Sequence, residues 1–437
     1  YRVKQRQHYN VAKYDTYLDN SYKKFMNENK KTVMYLVKEF EMKKSAQAYK
    51  RASQDKTGII DPLKLPQYKY SEDIFKKLTI LPDAKNHGMI MLLDWSGSMC
   101  DVIKQTIDQL MNLIWFCQKI NIPYEVYLFT SEVFCNERGD RSQRHDLNGG
   151  SWNYKHGDGI FENFNLINVA SHKMKKLQLD ESLMYLYHLA LYYETRYCWR
   201  SNRDPFAYDR PESVHIPSEY YLGSTPLNEA LIVMLKLVPL FKNKYKIEKM
   251  NLITLTDGGG NYGSSDTMKY DEESKQLIGD NSGLGGDDVF IYKKKYHTVK
   301  DENYGYRTSG ITGTILNLLR EYHNVTTIGF YLIKRIRRWE TDMYFRPYNP
   351  KMTWEEKDKL YNKNRQLFNK DKVCTVPQKG YDDYYIVNAK DMKVQNVDLQ
   401  GINDTMKPGK IKSLFSKSMK GRITSRVLLN KFIEKVA

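Results

Sequence analysis

The stretch Met89-Ile90-Met91-Leu92-Leu93-Asp94-Trp95-Ser96-Gly97-Ser98 joins an apolar run to a short polar loop. Five consecutive apolar residues between turn residues are typical of a parallel strand that is buried on both faces. Ligands of such sheets bind beyond the carboxyl ends of the strands. We therefore expect Asp94, Ser96 and Ser98 at that edge, on a tight loop that opens a helix. Gly97 is predicted to let the loop turn sharply, so that both serines face one point.

Apolar residues along the rest of the chain alternate between helical and strand spacing. Helical spacing predicts amphipathic helices over residues 103–117, 227–238 and 311–322. Apolar runs of strand length predict further strands at residues 124–129, 250–255, 325–332 and 384–387. Strand–helix alternation of this kind predicts an α/β fold with a doubly wound, mostly parallel sheet that is flanked by helices.

The domain organisation follows from where that alternation starts and where it is interrupted. Residues 1–86 are predicted to form a basic helical extension, and residues 87–437 one domain. Three stretches are predicted to be insertions on the domain surface, at about residues 193–222, 258–310 and 336–380. Within them we expect a hairpin around residues 290–296 and a helix around residues 354–368. Further helices are predicted after the last strand.

Two more loops carry oxygen-bearing side chains to the same edge of the predicted sheet. Gly223-Ser224-Thr225-Pro226 opens a helix, and Leu255-Thr256-Asp257-Gly258 ends a strand. The three loops together supply Asp94, Ser96, Ser98, Thr225 and Asp257. Carboxylates and hydroxyls are hard oxygen donors that suit Mg²⁺, Mn²⁺ or Ca²⁺ better than zinc. The pattern predicts a divalent-cation site, and the alternative is that the aspartates only cap helix starts.

These five residues resemble, in their order and topological context, the metal-ion-dependent adhesion site of von Willebrand factor A (VWA) domains. The resemblance implies that Ser96, Ser98 and Thr225 bind Mg²⁺ directly, while Asp94 and Asp257 act largely through water molecules. It also implies an open coordination position that an Asp or Glu side chain of a protein partner would fill.

Two branches of the VWA family are similar to particular segments of the chain. Residues 122–130 and 164–168 resemble the VWA subunit of aerobic cobaltochelatase, and residues 41–98 resemble VWA partners of MoxR-type AAA+ ATPases. The resemblance to VWA proteins as a whole spans about residues 87–335 and, more loosely, 381–437. It implies a metal-dependent adaptor that works with such an ATPase in remodelling or metal insertion.

Other functions remain as alternatives at this point. One is a cobaltochelatase-like subunit for metal insertion, although the chain has none of the long acidic region of chelatase subunits. Another is a structural or peptidase-type component of a larger assembly. The sequence holds no glycine-rich loop followed by Lys-Ser/Thr, no HExxH and no GxSxG, so we expect no intrinsic ATPase or peptidase activity.

The net charge of +17 lies mostly at the two ends of the chain. Residues 1–86 carry 19 Lys and Arg against 10 Asp and Glu, and residues 401–437 carry 9 against 2. Such ends are either solvated helix faces or docking surfaces for an acidic protein or nucleic acid. Aromatic and basic residues at 197–203 could stack bases, but nucleic acid is the less favoured partner.

Cysteine usage and hydropathy indicate the compartment. The five cysteines are scattered and never spaced as CxxC, which predicts reduced thiols. The sequence shows no apolar stretch of membrane-spanning length and no signal-peptide core near Tyr1. We therefore expect a cytoplasmic protein without a membrane partner. Because the chain starts with Tyr rather than Met, we also expect it to belong to a longer product.

Overall fold

The computed structural model describes residues 16–30, 33–34, 37–38, 40–41, 53–60, 75–80, 86–131, 159–161, 164–197, 216–257, 265–271, 276–280, 289–298, 310–333, 345 and 352–388. The helices, in chain order, are α1 (residues 16–30), α2 (Ile103–Lys119), α3 (Lys176–Tyr197), α4 (Leu227–Tyr245), α5 (Gly310–His323) and α6 (Trp354–Asp371). The strands are β1 (Ser53–Ile60), β2 (Phe75–Ile80), β3 (His87–Asp94), β4 (Tyr124–Thr130), β5 (Gly159–Phe161), β6 (Asn165–Ser171), β7 (Lys249–Thr256), β8 (Ser265–Asp271), β9 (Gln276–Asp280), β10 (Val289–Tyr292), β11 (Lys295–Thr298), β12 (Val325–Ile333), β13 (Val373–Thr375) and β14 (Asp383–Asn388).

Seven strands form the central sheet, in the order β13-β14-β12-β7-β3-β4-β6. The five inner strands run parallel to one another. The edge strands β13 and β6 are antiparallel to their neighbours. Parallel neighbours need crossover connections, and α2 connects β3 to β4 while α5 connects β7 to β12. The predicted α/β class with a mostly parallel, helix-flanked sheet is confirmed.

Alternate residues of β3 are buried against opposite helical layers. Met89, Met91 and Leu93 belong to the apolar core that includes α2 and α3. Ile90 and Leu92 belong to the core that includes α4 and α5. Successive side chains of a strand point to opposite faces, so the uninterrupted apolar run buries both faces of β3. Burial of each such side chain stabilises the fold by roughly 1.5–3 kcal/mol.

The region predicted as a helical extension contains both a helix and strands. Helix α1 packs on the layer of α2 and α3 through buried Leu18, Tyr22 and Phe25. The rings of Phe25 and Tyr187 of α3 lie 5.1 Å apart. Strands β1 and β2 form an antiparallel pair, which the sequence pattern did not predict. The helices predicted after β14 lie outside the described residues.

The three predicted insertions differ in how much of them joins the folded layers. Segment 193–222 starts inside α3, where Tyr193 is only 2% exposed, so its first part is core and not surface. Segment 258–310 contributes β8 and β9 to a small sheet with β5, and it contains the predicted hairpin as β10 and β11. Segment 336–380 contains the predicted helix as α6, but its strand β13 extends the central sheet.

The described cysteines and helices bear on the predicted compartment. Cys117 and Cys374 are buried, and Cys100 is partly exposed. The other two cysteines, Cys135 and Cys198, lie outside the described residues. Among the helices that the structure describes, none combines the length and the apolar character needed to cross a membrane.

Candidate metal centre

Strand register brings the first and third predicted loops together. Strands β3 and β7 are parallel neighbours with Leu93 opposite Leu255, so Asp94 and Thr256 end the two strands side by side. The Thr256 hydroxyl donates a hydrogen bond of 2.7 Å to Asp94 Oδ2. The adjacent strand therefore orients the Asp94 carboxylate, and Asp257 follows at the same edge of the sheet.

Backbone hydrogen bonds join the second loop to the first. Gly97 N–H donates to the Gly223 carbonyl oxygen at 2.9 Å, and Gly223 N–H donates to the Trp95 carbonyl oxygen at 3.2 Å. Ser96 and Gly223 thereby form an isolated parallel bridge. This pairing brings the Thr225 hydroxyl, two residues further on, beside the carboxylate of the first loop.

The two serines extend the contacts to the third loop. Ser96 Oγ and Ser98 Oγ lie 3.1 Å apart, and Ser98 Oγ donates a hydrogen bond of 2.7 Å to Asp257 Oδ1. Burial decreases along the first loop, from fully buried Asp94 through buried Ser96 to exposed Ser98. The structure therefore brings all five predicted residues into one group. We call it the hydroxyl–carboxylate cluster: Asp94, Ser96, Ser98, Thr225 and Asp257.

Electrostatics in the cluster disfavour the ionised carboxylates. Burial and, to a smaller extent, the neighbouring Asp257 raise the pKa of Asp94 to about 8, although the hydroxyls of Thr256, Ser96 and Thr225 lower it. Burial also raises the pKa of Asp257 to about 6, which the hydrogen bond from Ser98 opposes. Two carboxyl groups thus share a water-poor pocket in which no positively charged side chain contributes to either pKa.

The donor set fits a hard divalent cation. Asp94 Oδ1 is buried, and no hydrogen bond of normal geometry reaches it within the described residues, although buried polar atoms normally have a partner and the Ser96 and Thr225 hydroxyls lie beside the carboxylate. A cation would satisfy this atom and offset the repulsion between the two carboxylates. The described residues hold no group of three or more His, Cys, Asp and Glu side chains that could bind a metal. Two carboxylates with three neutral hydroxyls instead match the oxygen ligands of Mg²⁺.

A buried aromatic contact also supports the cluster, and the sequence pattern did not reveal it. The Trp95 indole N–H and the Tyr193 hydroxyl both donate to the carbonyl oxygen of Tyr220, each at 2.8 Å. The rings of Trp95 and Tyr193 meet edge to face at 5.9 Å. Helix α3 therefore holds the loop that leads into Thr225. The one signal in the sequence was the richness in tyrosine of a segment that we predicted to be an insertion.

The structure does not support the conformational reason that was predicted for Gly97. Its φ angle does not lie in the left-handed region, since Gly380 is the only described glycine with a positive φ. A Cβ atom at residue 97 would meet only the Gly223 carbonyl oxygen, at an ordinary contact distance of 3.9 Å. The loop turns because of its backbone hydrogen bonds to Gly223 and not because of a conformation reserved for glycine.

Comparisons with known proteins add little to this geometry. No model of a known protein family matches the chain, and no curated protein sequence matches it. Among solved structures, the chain is similar to the pilus adhesin SpaC from Lactobacillus rhamnosus GG in its open conformation, at 12% identity and a TM-score of 0.29 over 65% of this chain. A second crystal form of SpaC gives 12% identity and a TM-score of 0.32 over 71% of this chain. The chain spans only 27% and 29% of those two chains, and such low TM-scores carry no argument about function.

Proposed function

We propose that this chain is a divalent-cation-dependent adaptor, which binds an acidic side chain of a protein partner at the hydroxyl–carboxylate cluster. The observation that carries the proposal is the buried Asp94 Oδ1, which no hydrogen bond of normal geometry reaches within the described residues, in a cluster with three hydroxyls. Mg²⁺ or Mn²⁺ bound there would supply a positively charged coordination position for the partner's carboxylate.

The residues of the cluster have separable roles in this proposal. Ser96, Ser98 and Thr225 would hold the cation through neutral oxygens, while the two carboxylates balance its charge from behind. A partly uncompensated cation attracts a further carboxylate, and this attraction is stronger in a pocket that excludes water. Burial of Ser96 and Thr225 keeps water from one side of the site, and the exposure of Ser98 leaves the other side open to a partner.

The resemblance of residues 41–98 to VWA partners of MoxR-type AAA+ ATPases makes such an ATPase the first partner to test. In this proposal the ATPase supplies the energy, and the chain supplies recognition of the ATPase ring or of its target. The protein itself carries out no chemical step.

A direct test measures cation binding and partner binding on the same variants. Thr225→Ala should weaken Mn²⁺ binding, measured by calorimetry, by about tenfold or more, because a ligand oxygen is lost. Thr314→Ala is the matched control, since that hydroxyl donates a hydrogen bond to the Gly310 carbonyl oxygen within its own helix. The control should bind Mn²⁺ like the wild-type protein.

Partner binding is then tested with the purified chain as bait for the MoxR-type AAA+ ATPase of the same organism. The complex should form in Mg²⁺, dissociate in EDTA and re-form when Mg²⁺ is restored. Asp257→Ala should abolish it while the circular dichroism spectrum stays unchanged. Retention of the ATPase in EDTA and by Asp257→Ala would show that the cluster is not the binding site. Cation binding without capture of the ATPase would refute only this choice of partner.

A further inference from the structure

A cationic hairpin lies at the end of the sheet opposite the hydroxyl–carboxylate cluster. Strands β10 and β11 form a two-residue hairpin, which we call the lysine hairpin, residues 289–298. The Tyr292 hydroxyl donates to the Leu235 carbonyl oxygen of α4 at 3.3 Å and lies 2.6 Å from Nε2 of His323, the last residue of α5. Two residues later Val325 begins β12, at the amino end of the parallel strands. The hairpin is thus fixed at the amino edge of the sheet.

The two faces of the lysine hairpin have different surroundings. Tyr292 and His297 face the body of the protein, where His297 contacts the Tyr322 hydroxyl at 3.3 Å. Side chains alternate along a strand, so Ile291 and its cross-strand partner Tyr296 share the opposite face. They are 68% and 78% exposed. An aliphatic and an aromatic side chain are therefore presented side by side to solvent on an anchored support.

The turn of the hairpin concentrates positive charge, and two of its lysines have an unfavourable backbone conformation. Lys293 and Lys294 have φ angles of 48° and 64°, in the left-handed region that two-residue hairpins usually fill with Asn-Gly. Lysine is strained there, and a third lysine follows at Lys295. All three are exposed. The geometry of the turn does not require lysine at these positions, although the Lys293 ammonium lies over the rings of Tyr292 and Tyr322, 5.8 and 5.2 Å from their centroids.

Neighbouring groups reinforce the positive potential. The Lys242 ammonium donates to the His323 carbonyl oxygen at 2.7 Å, next to the anchor of the hairpin. Burial lowers the pKa of His323, and Lys293 and Lys242 lower it further. Within the described residues, none of the lysines 293–295 makes an ion pair with a carboxylate. The field of the hairpin is therefore directed at solvent and at anything that carries negative charge.

We propose that the lysine hairpin binds single-stranded nucleic acid. Tyr296 stacks on a base on the outward face, and Ile291 packs beside the stacked base. The three lysines contact the phosphates from the turn end of the hairpin, with Lys294 at the turn and Lys293 and Lys295 on the side of Tyr292. Exposed aromatic rings with lysines around them are what sequence-tolerant single-strand binding requires. An acidic peptide would pair with the lysines, whereas a single strand uses both the lysines and the face of the outward-facing ring. This site is separate from the hydroxyl–carboxylate cluster and does not depend on the function proposed for it.

The experiment measures fluorescence anisotropy of a fluorescein-labelled oligothymidylate, about 15 nucleotides long, with the full chain in EDTA. Replacing Lys293, Lys294 and Lys295 by Gln should reduce the slope of log affinity against log salt concentration by about 2. Tyr296→Ala should weaken binding by roughly fivefold to a hundredfold with the salt slope unchanged, because stacking is lost while the charges remain.

The matched control removes three lysines at a place without an exposed aromatic ring. Lys173 and Lys175 are exposed in the β6–α3 connection and Lys176 is exposed at the start of α3, and replacing all three by Gln changes the net charge equally. This control should keep at least half of the wild-type affinity. Equal losses in both triple variants would overturn the proposal, because binding would then depend on total charge alone. Wild-type binding to poly-glutamate as tight as to the oligonucleotide, with no effect of Tyr296→Ala, would identify an acidic protein as the ligand and would also overturn it.

Discussion

The hydroxyl–carboxylate cluster lies at the carboxyl ends of the parallel strands, and the lysine hairpin lies near their amino ends. The two sites differ in which residues form them and in how much they are exposed. The cluster gathers residues from three separate loops, and its geometry depends on the register of β3 and β7. The hairpin is a local element of ten residues that two hydrogen bonds of Tyr292 fix to the helices. The cluster brings together a buried and a partly buried carboxyl group, whereas the hairpin exposes its lysines to solvent.

This difference predicts how each edge recognises a ligand. A buried carboxylate pair is sensitive to single atoms, because each unpaired charge in a water-poor pocket is costly. Exposed lysines act additively, and salt screens them. Specific binding is therefore expected at the carboxyl edge, and adjustable, salt-dependent binding at the amino edge.

The largest effect is expected from Asp94→Asn. The substitution keeps an acceptor for the Thr256 hydroxyl but removes the negative charge from the base of the cluster. Mn²⁺ affinity should fall by about a hundredfold or more, because a neutral amide does not balance the charge of the cation. Oligothymidylate binding should stay within twofold of wild type. Undiminished Mn²⁺ binding would place the cation elsewhere, and a parallel loss of oligonucleotide binding would show that the two edges are not independent.

The second prediction concerns the pH dependence of stability. The raised pKa values of about 8 for Asp94 and about 6 for Asp257 mean that the folded protein keeps protons that the unfolded chain has released. Without a cation, the free energy of unfolding should therefore decrease as pH rises from about 4 through 8, by up to about 5 kcal/mol for Asp94.

Urea denaturation in EDTA and in Mg²⁺, at several pH values across that range, tests this dependence. Mg²⁺ should offset much of the decrease, because it favours the ionised carboxylates. The stabilisation by Mg²⁺ should thus grow with pH and vanish in Asp94→Asn. A Mg²⁺ effect that is constant with pH would contradict the assignment of these carboxylates to the cation site.

A smaller effect is expected from the aromatic support of the cluster. Tyr193→Phe removes one of the two donors to the Tyr220 carbonyl oxygen and leaves the ring in place. Mn²⁺ affinity should fall by about threefold to tenfold, as for other residues that orient ligands from behind. Tyr187→Phe is the matched control, since it removes a tyrosine hydrogen bond to the Ser21 carbonyl oxygen far from the cluster. Equal Mn²⁺ affinities in the two variants would show that the Tyr193 hydroxyl does not help to orient the cluster.

The sequence predicted four members of the cluster because strand ends are easy to locate, and it predicted Thr225 because Gly223-Ser224-Thr225-Pro226 marks the start of a helix. Long apolar runs mark buried strands, and parallel strands place their carboxyl ends at one edge, so polar residues after each run converge. The support of the cluster was not predictable in this way. Trp95, Tyr193 and Tyr220 meet only because α3 passes behind the loop, and contacts between such distant residues leave no periodic signal.

The sequence pattern also failed to predict several strands and the strained turn of the hairpin. Strand β13 has three residues in a charged segment, which is too short for alternation to be recognised. Strands β1 and β2 lie in a polar region whose composition favoured helix. The hairpin itself was predicted from its alternation, but its turn was not, since Lys293-Lys294 lacks the Asn-Gly signature of a two-residue turn.

Placing Asn-Gly in the turn of the lysine hairpin should raise stability and weaken nucleic-acid binding. Replacing Lys293-Lys294 by Asn-Gly relieves two left-handed lysines and should raise the free energy of unfolding by about 1 kcal/mol. The same change removes two positive charges, so oligothymidylate affinity should fall by about fivefold at low salt while Mn²⁺ affinity stays constant. Chemical denaturation and anisotropy on one preparation check both outcomes. A gain in stability without a loss of affinity would mean that the lysines are not the contact.

The smallest effect is expected at Gly97, in the middle of the cluster's first loop. An alanine there would contact the Gly223 carbonyl oxygen at 3.9 Å without strain, and the hydrogen bond from the residue 97 N–H to that oxygen would remain. Gly97→Ala should therefore keep Mn²⁺ affinity within about twofold and change stability by less than about 0.5 kcal/mol. The exposed methyl group lies beside Ser98, so capture of the protein partner is the more sensitive measurement. If Gly97→Ala loses the partner but keeps Mn²⁺, the glycine is needed for the close approach of the partner. If it loses Mn²⁺ as well, the loop needs a backbone conformation that differs from the one in the structure.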